Sequence, residues 1–151
     1  MAVTETVRGG VVVERRASAS AWAEHSWRVT AILPDAPEMA DWSVLAQDEG
    51  STTFYAGAAE IEFHSGETQN LRDNLRSGRP SLWAVLEADD AEPGMRLVSV
   101  IADPGEAEAV SGTGDLLVEQ VDMPAIIEAA LTAFVATHHV EREFVKRRRE
   151  T

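Results

Sequence analysis

The stretch SLWAVLEADDAEPGMRLVSVI, residues 81–101, decides the fold class. Residues 81–87 carry apolar side chains on both faces of an extended chain, which is typical of a central, buried strand. Pro93-Gly94 then forms a strong turn signal, and residues 96–101 return as a second well-buried strand. We therefore predict a β-hairpin whose first strand lies in the interior of a sheet.

Further strand signals lie on both sides of this hairpin. Apolar residues alternate from Trp27 to Leu33 with the period of two of a half-buried strand. We also predict strands at residues 11–16, 42–46, 52–56, 59–64 and 116–121. Gly9-Gly10 is interpreted as a turn. Many short strands and few helices predict a mostly antiparallel α+β domain, and a partly barrel-like sheet is one arrangement these strands allow.

Two short helices are predicted between the strands. Ser65 is placed as the N-cap of the first helix, which ends before Gly78. The second begins at Asp103-Pro104, with the aspartate as cap and the proline in the first helical position. A third, long C-terminal helix begins at residues 123–124. Its apolar stripe predicts packing on the sheet and consists of Ile127, Leu131, Phe134 and His138.

The length of 151 residues predicts one domain spanning residues 1–151, with residues 1–9 as a loose N-terminus. The formal net charge of −13 argues against nucleic acid and anionic membranes as partners, because both require a basic surface. The chain has no cysteine, so it has neither disulfides nor thiolate metal ligands. We find no signal-peptide pattern and no membrane-spanning apolar run. We expect a cytoplasmic protein without metal or other cofactor.

Aromatic and basic residues gather where the first two predicted strands are joined. They are Arg15, Arg16, Trp22, His25, Trp27 and Arg28. One interpretation is a pocket for an anionic or planar group, built from arginine forks and tryptophan faces. The other is that Trp27 belongs to the core, Trp22 covers it, and the arginines are solvated or paired with carboxylates.

A second candidate constellation combines Glu60, Glu62 and His64, which alternate along one predicted strand and therefore point to one face. Carboxylates and imidazole are metal ligands. However, Cα atoms two residues apart on a strand are separated by about 6.5 Å, so one strand seldom completes a site. We favour a solvated face here, and a structural role for His138-His139 near the end of the long helix.

The C-terminal tail, residues 140–151, differs most in composition from the rest of the chain, with five basic residues and three acidic ones. Its candidate contact residues are Phe144, Lys146, Arg147, Arg148 and Arg149. Three interpretations stay open. The tail docks on an acidic patch of a partner with Phe144 as an anchor, folds back on the acidic body, or only aids solubility.

Short motifs spread over residues 10–149 are distinctive in combination. They are Val11-Val12-Val13-Glu14-Arg15-Arg16, Trp22, His25, Trp27-Arg28, Leu33-Pro34-Asp35-Ala36-Pro37, Glu67-Thr68, Asn74-Leu75, Pro80-Ser81, Met123-Pro124, His138-His139-Val140-Glu141 and Phe144-Val145-Lys146-Arg147-Arg148. In these motifs the chain resembles an uncharacterised bacterial family, a domain of unknown function. Genes of that family often neighbour those of molybdenum- or tungsten-dependent formate dehydrogenases. Gly105 departs from the resemblance, which leads us to expect an aromatic residue there.

The resemblance implies a setting rather than a chemistry. We expect a non-catalytic accessory protein or small subunit that binds the catalytic subunits of a formate dehydrogenase. One alternative is a chaperone-like module that binds the pterin cofactor or its precursor, with Arg15, Arg16 and Arg28 as contacts. Another is an uncharacterised enzyme built around His25. The candidate partner-binding residues are those of the strand junction, Arg15, Arg16, Trp22, His25 and Arg28, together with those of the tail.

Overall fold

The computed structural model describes the backbone of residues 2–17 and 25–150 and the side chains of residues 2–17 and 25–139. This part of the chain forms two antiparallel sheets and three α-helices, as the α+β prediction requires. The strands are β1 Thr4–Arg16, β2 Ser26–Leu33, β3 Ser43–Asp48, β4 Ser51–His64, β5 Ser81–Ala88, β6 Met95–Ile101 and β7 Leu116–Asp122. The helices are α1 Thr68–Leu75, which follows a 3₁₀ turn at Ser65–Glu67, α2 Pro104–Val110 and α3 Ala125–Glu150.

The two sheets have the strand orders β2-β1-β4-β3 and β6-β5-β7, and they do not close into a barrel. In the second sheet β5 pairs with both β6 and β7, which confirms that the apolar stretch beginning at Ser81 is a central strand. The hairpin turn is closed by a hydrogen bond from the Asp89 N–H to the Gly94 carbonyl, 3.0 Å long. The hairpin was therefore predicted correctly, but the expectation that its second strand is well buried is wrong, because only Val100 and Ile101 of β6 are buried and Val98 is 43% exposed.

The first sheet is built on a long ladder between β1 and β4, which pairs Thr4 with His64 at one end and Arg16 with Ser51 at the other. The prediction of a loose N-terminus is wrong, since β1 begins at Thr4. The prediction of two strands at residues 52–56 and 59–64 is also wrong, because β4 runs through Gly57 without a break. Gly57 has φ +133° and lies where the register shifts, so it forms a bulge within one strand.

Gly9 and Gly10 lie inside β1, so their interpretation as a turn is wrong. A Cβ on Gly9 would lie 2.7 Å from Cγ2 of Ile32, on the face covered by α3. A Cβ on Gly10 would lie 2.6 Å from Cε1 of Tyr55, on the opposite face. Both glycines are therefore required by close approach from the two sides of the strand, and not by turn geometry.

Helix α3 packs its apolar stripe on the sheets, as predicted. Ile127, Leu131 and Phe134 are at most 2% exposed, and the Phe134 ring centroid lies 5.7 Å from that of Phe63 on β4. The backbone continues as helix to Glu150, so the region treated as a separate tail is a continuation of α3.

The helix starts differ in how well the sequence predicted them. Asp103 caps α2 by accepting a hydrogen bond from the Gly105 N–H at 2.8 Å, as its spacing predicts. Ser65 is not an N-cap; its hydroxyl accepts a hydrogen bond from the Val3 N–H at 2.9 Å and so holds the start of β1. Within the described residues, no helix is long and apolar enough to cross a membrane.

The burial of Phe134 leads to a prediction about stability. Phe134→Ala should lower the free energy of unfolding by about 3–5 kcal/mol, because it removes a buried ring and leaves a cavity. Ile126→Ala, at a side chain on the same helix that is 64% exposed, is the matched control. Chemical denaturation measures both, and equal stability of the two variants would contradict the packing of α3.

Candidate functional site

Arg15 lies in an aromatic cluster at one end of the first sheet. Its guanidinium carbon is 5.1 Å from the Phe54 ring centroid and 5.8 Å from that of Trp27. Nη1 donates a hydrogen bond to the Pro93 carbonyl at 3.1 Å and lies 3.6 Å from a Glu92 carboxylate oxygen. Arg15 therefore fastens the β5–β6 turn to the first sheet, which supports the interpretation of paired arginines around a packed Trp27.

Arg16 and Arg28 lie on the opposite face of the sheet from Arg15, because side chains alternate along a strand. In the register of β1 against β2, Arg28 lies opposite Glu14, whereas Arg15 lies opposite Trp27. The structure thus separates the three arginines that sequence proximity had grouped. His25 is exposed just before β2, and Trp22 lies outside the described residues.

Arg16 and Arg28 instead line a groove of about 920 Å³ between the edges of the two sheets. We call it the edge groove. β2 is an edge strand of the first sheet and β7 an edge strand of the second. The groove is lined by Glu14, Arg16, Arg28, Val29, Thr30, Ala31, Ile32, Arg79, Glu119, Gln120, Val121, Asp122, Met123 and Pro124. This surface combines charged side chains with buried apolar residues and with strand edges that no described strand pairs.

Two of the three arginines of the edge groove are neutralised within it. The Nε of Arg16 lies 2.9 Å from a Glu14 oxygen, and the Nε of Arg79 lies 2.7 Å from an Asp122 oxygen. Arg28 makes no ion pair with any residue that the structure describes. An exposed guanidinium that no described carboxylate pairs, beside an open strand edge, suits contact with a carboxylate of another molecule.

The tail residues predicted to contact a partner cannot be placed against this groove. The side chains of Phe144, Lys146, Arg147, Arg148 and Arg149 lie outside the described part of the chain. Their role stays a prediction.

An acidic trio that sequence reasoning missed lies at the start of α2. Oxygens of Glu67, Asp103 and Glu106 approach within 4.8 Å of one another. Asp103 is 5% exposed, and it also caps α2 through the Gly105 N–H. Glu67 lies in the 3₁₀ turn before α1, and Glu106 lies in the first turn of α2. An acidic residue in a first helical turn is recognisable in the sequence, but the contact between these two glutamates depends on how the two turns pack against each other.

Glu67 is the member of this trio whose pKa is shifted. Burial raises its pKa above the ordinary glutamate range, and a hydrogen bond and charge repulsion from Asp103 raise it further. Glu106 adds to the repulsion, while His64 acts in the opposite direction. The surroundings of Glu67 therefore favour its protonated form.

The remaining candidates behave as surface or packing residues. His64 lies 4.0 Å from Glu62 and contacts the Thr4 hydroxyl at 3.0 Å, while Glu60 and Glu62 are exposed on the outer side of β4. This agrees with the solvated face that the sequence favours. His139 is 8% exposed and connects α3 to α1 by contacts with Arg72 and Thr68.

The chain matches a known protein family over most of its length. A family model described as "Protein of unknown function (DUF3305)" matches residues 8–148. The chain belongs to the DUF3305 family. No curated protein and no solved structure matches it. Because the match runs from β1 into the C-terminal part of α3, both sheets, the edge groove and the acidic trio lie within the DUF3305 region.

The raised pKa of Glu67 predicts a pH-dependent stability. The stabilising contribution of protonated Glu67 is fully present below the unfolded-state pKa of about 4.3 and is lost as pH rises through the higher folded-state value. Glu67→Gln, which stays neutral and still donates to Asp103, should therefore raise the melting temperature at pH 8 and have little effect near pH 4. Glu108→Gln, at an exposed glutamate of α2, is the control. Equal melting temperatures of Glu67→Gln and the unmodified protein at pH 8 would refute the effect.

Proposed function

We propose that this protein is a non-catalytic accessory protein or small subunit that binds the catalytic subunit of a molybdenum- or tungsten-dependent formate dehydrogenase. The partner is inferred from the genomic setting that the sequence resemblance implies. The contact surface is inferred from the geometry. The observation that carries this part is the edge groove, where Arg28 has no described ion-pair partner beside the open edges of β2 and β7.

Open strand edges support a particular mode of binding. An extended segment added to the edge of β2 would satisfy backbone groups that the described strands leave unpaired. The partly exposed Ala31 and Pro124 offer apolar contact along the same groove. We therefore expect the partner to contribute an extended segment with a carboxylate facing Arg28.

Two of the three arginines of the edge groove are already engaged. Arg16 and Arg79 are held in ion pairs with Glu14 and Asp122, whereas Arg28 has no ion-pair partner among the described residues. The pterin-binding alternative has less support, because Arg15 is turned away from Arg16 and Arg28 and is used to hold the β5–β6 turn.

Charge reversal at Arg28 tests the groove. Arg28→Glu should lower the apparent affinity for the dehydrogenase by about tenfold, because attraction to a facing carboxylate becomes repulsion. The measurement is affinity purification from the native host followed by quantitative mass spectrometry. Arg96→Glu, at an exposed arginine of β6, is the matched control. Equal recovery with both variants would contradict the groove, and a wild-type sample without dehydrogenase subunits would contradict the partner.

Truncation tests the tail separately. Removing residues 144–151 should leave the fold intact, because the last described buried side chain is His139. The truncation should weaken recovery of the dehydrogenase, and raised salt should weaken the intact pair as well, since exposed charges are screened. Replacing Arg147, Arg148 and Arg149 by Glu should do more harm than replacing them by Gln. Unchanged recovery would remove the docking role, and a truncated protein that no longer folds would favour a tail docked on its own chain.

A further inference from the structure

A second concave site lies between α1 and α3, away from the edge groove. It is a pocket of about 380 Å³, at the small end of the range for small-molecule sites. Its lining residues are Arg72, Leu75 and Arg76 from α1 and Glu128, Thr132, Val135, Ala136 and His139 from α3. All belong to the part of the chain whose side chains are described.

The base of this pocket is held by a buried hydrogen-bond relay. Arg72 Nη1 lies 2.9 Å from His139 Nε2, and His139 Nδ1 lies 3.2 Å from the hydroxyl of Thr68, which is fully buried. Because arginine is only a donor, Arg72 donates this hydrogen bond to His139 Nε2. The relay fixes the orientation of the Arg72 guanidinium and leaves its other N–H groups for further acceptors.

Two positive charges lie side by side in the lining of the pocket. Arg72 and Arg76 are four residues apart and therefore lie on the same side of α1, an arrangement of like charges that destabilises a helix. Neither makes an ion pair with a described residue, although the chain as a whole carries a net charge of −13. Glu128, the carboxylate in the lining, forms no ion pair with either arginine.

Part of the lining is apolar. Leu75, Val135 and Ala136 form a wall next to the two guanidinium groups. Guanidinium forks bind carboxylate and phosphate through paired hydrogen bonds, while an apolar wall binds hydrocarbon. We propose that the pocket between α1 and α3 binds a small organic oxyanion, a carboxylate or phosphate group carried on a compact apolar body.

Titration of the isotope-labelled full chain with defined probes, followed by NMR, tests this site. The probes are phenyl phosphate, benzoate, inorganic phosphate and the neutral compound phenol. We expect saturable shifts at the amides of α1 and α3 with phenyl phosphate or benzoate. Whichever of these two probes binds more tightly identifies the preferred head group. Inorganic phosphate and phenol should each bind at least about tenfold more weakly than that probe.

Variants separate the pocket from general charge effects. Arg76→Gln, at an exposed position outside the core, should weaken binding of the better probe by about tenfold, and Arg76→Lys should weaken it less. Arg96→Gln on β6 should bind like the unmodified protein. Arg28→Glu should also leave probe binding unchanged, since the pocket is independent of the proposed partner groove.

The proposal is overturned by any of three results. Shifts that do not saturate, or equal binding to Arg76→Gln and Arg96→Gln, would mean that no such site exists. Inorganic phosphate that binds as tightly as phenyl phosphate would show that the apolar wall has no part in recognition. An acidic peptide that shifts the same amides while the small probes do not would assign the pocket to a polypeptide partner.

Discussion

The antiparallel pairing of β1 with β4 is the interaction on which the other elements depend. It brings Thr4 opposite His64 and Arg16 opposite Ser51, so nearly the full length of both strands is paired. β2 and β3 extend this ladder on its two sides. α3 can lie close to one face of β1, and Tyr55 close to the other, because Gly9 and Gly10 carry no side chains. Bulk at those two positions would separate the layers on both sides of β1.

The same ladder divides the basic residues between two environments. Alternation along β1 directs Arg15 towards Trp27 and Phe54, and directs Arg16 to the edge groove on the other face. On this acidic chain several arginines are already paired with carboxylates. Arg28 and Arg76 are not paired with any described carboxylate, and each lies in a concave surface. The two proposed binding sites follow from these charges, which no carboxylate of the described residues neutralises.

The functional candidates show where reasoning from sequence stops. Proximity along the chain grouped Arg15 with Arg28, but it does not give the register of β1 against β2, which decides the face that each side chain occupies. That register places Arg28 opposite Glu14 and Arg15 opposite Trp27, so the two arginines lie on different faces. Glu67 and Asp103 are far apart in sequence, so their contact depends on the docking of α1 and α2. The pocket at Arg72 and Arg76 likewise exists only once α3 lies beside α1.

The sequence by itself determined the elements whose signals are local. The apolar run from Ser81, the Asp103-Pro104 cap and the stripe through Phe134 were predicted correctly, because side-chain periodicity and capping act over a few residues. Tertiary structure alone decided that Gly9-Gly10 lie within a strand and that Gly57 bends β4 without ending it. Glycine fits a turn, a bulge and a close approach equally well. Which of these occurs depends on the partner strands and on the helix that packs against them.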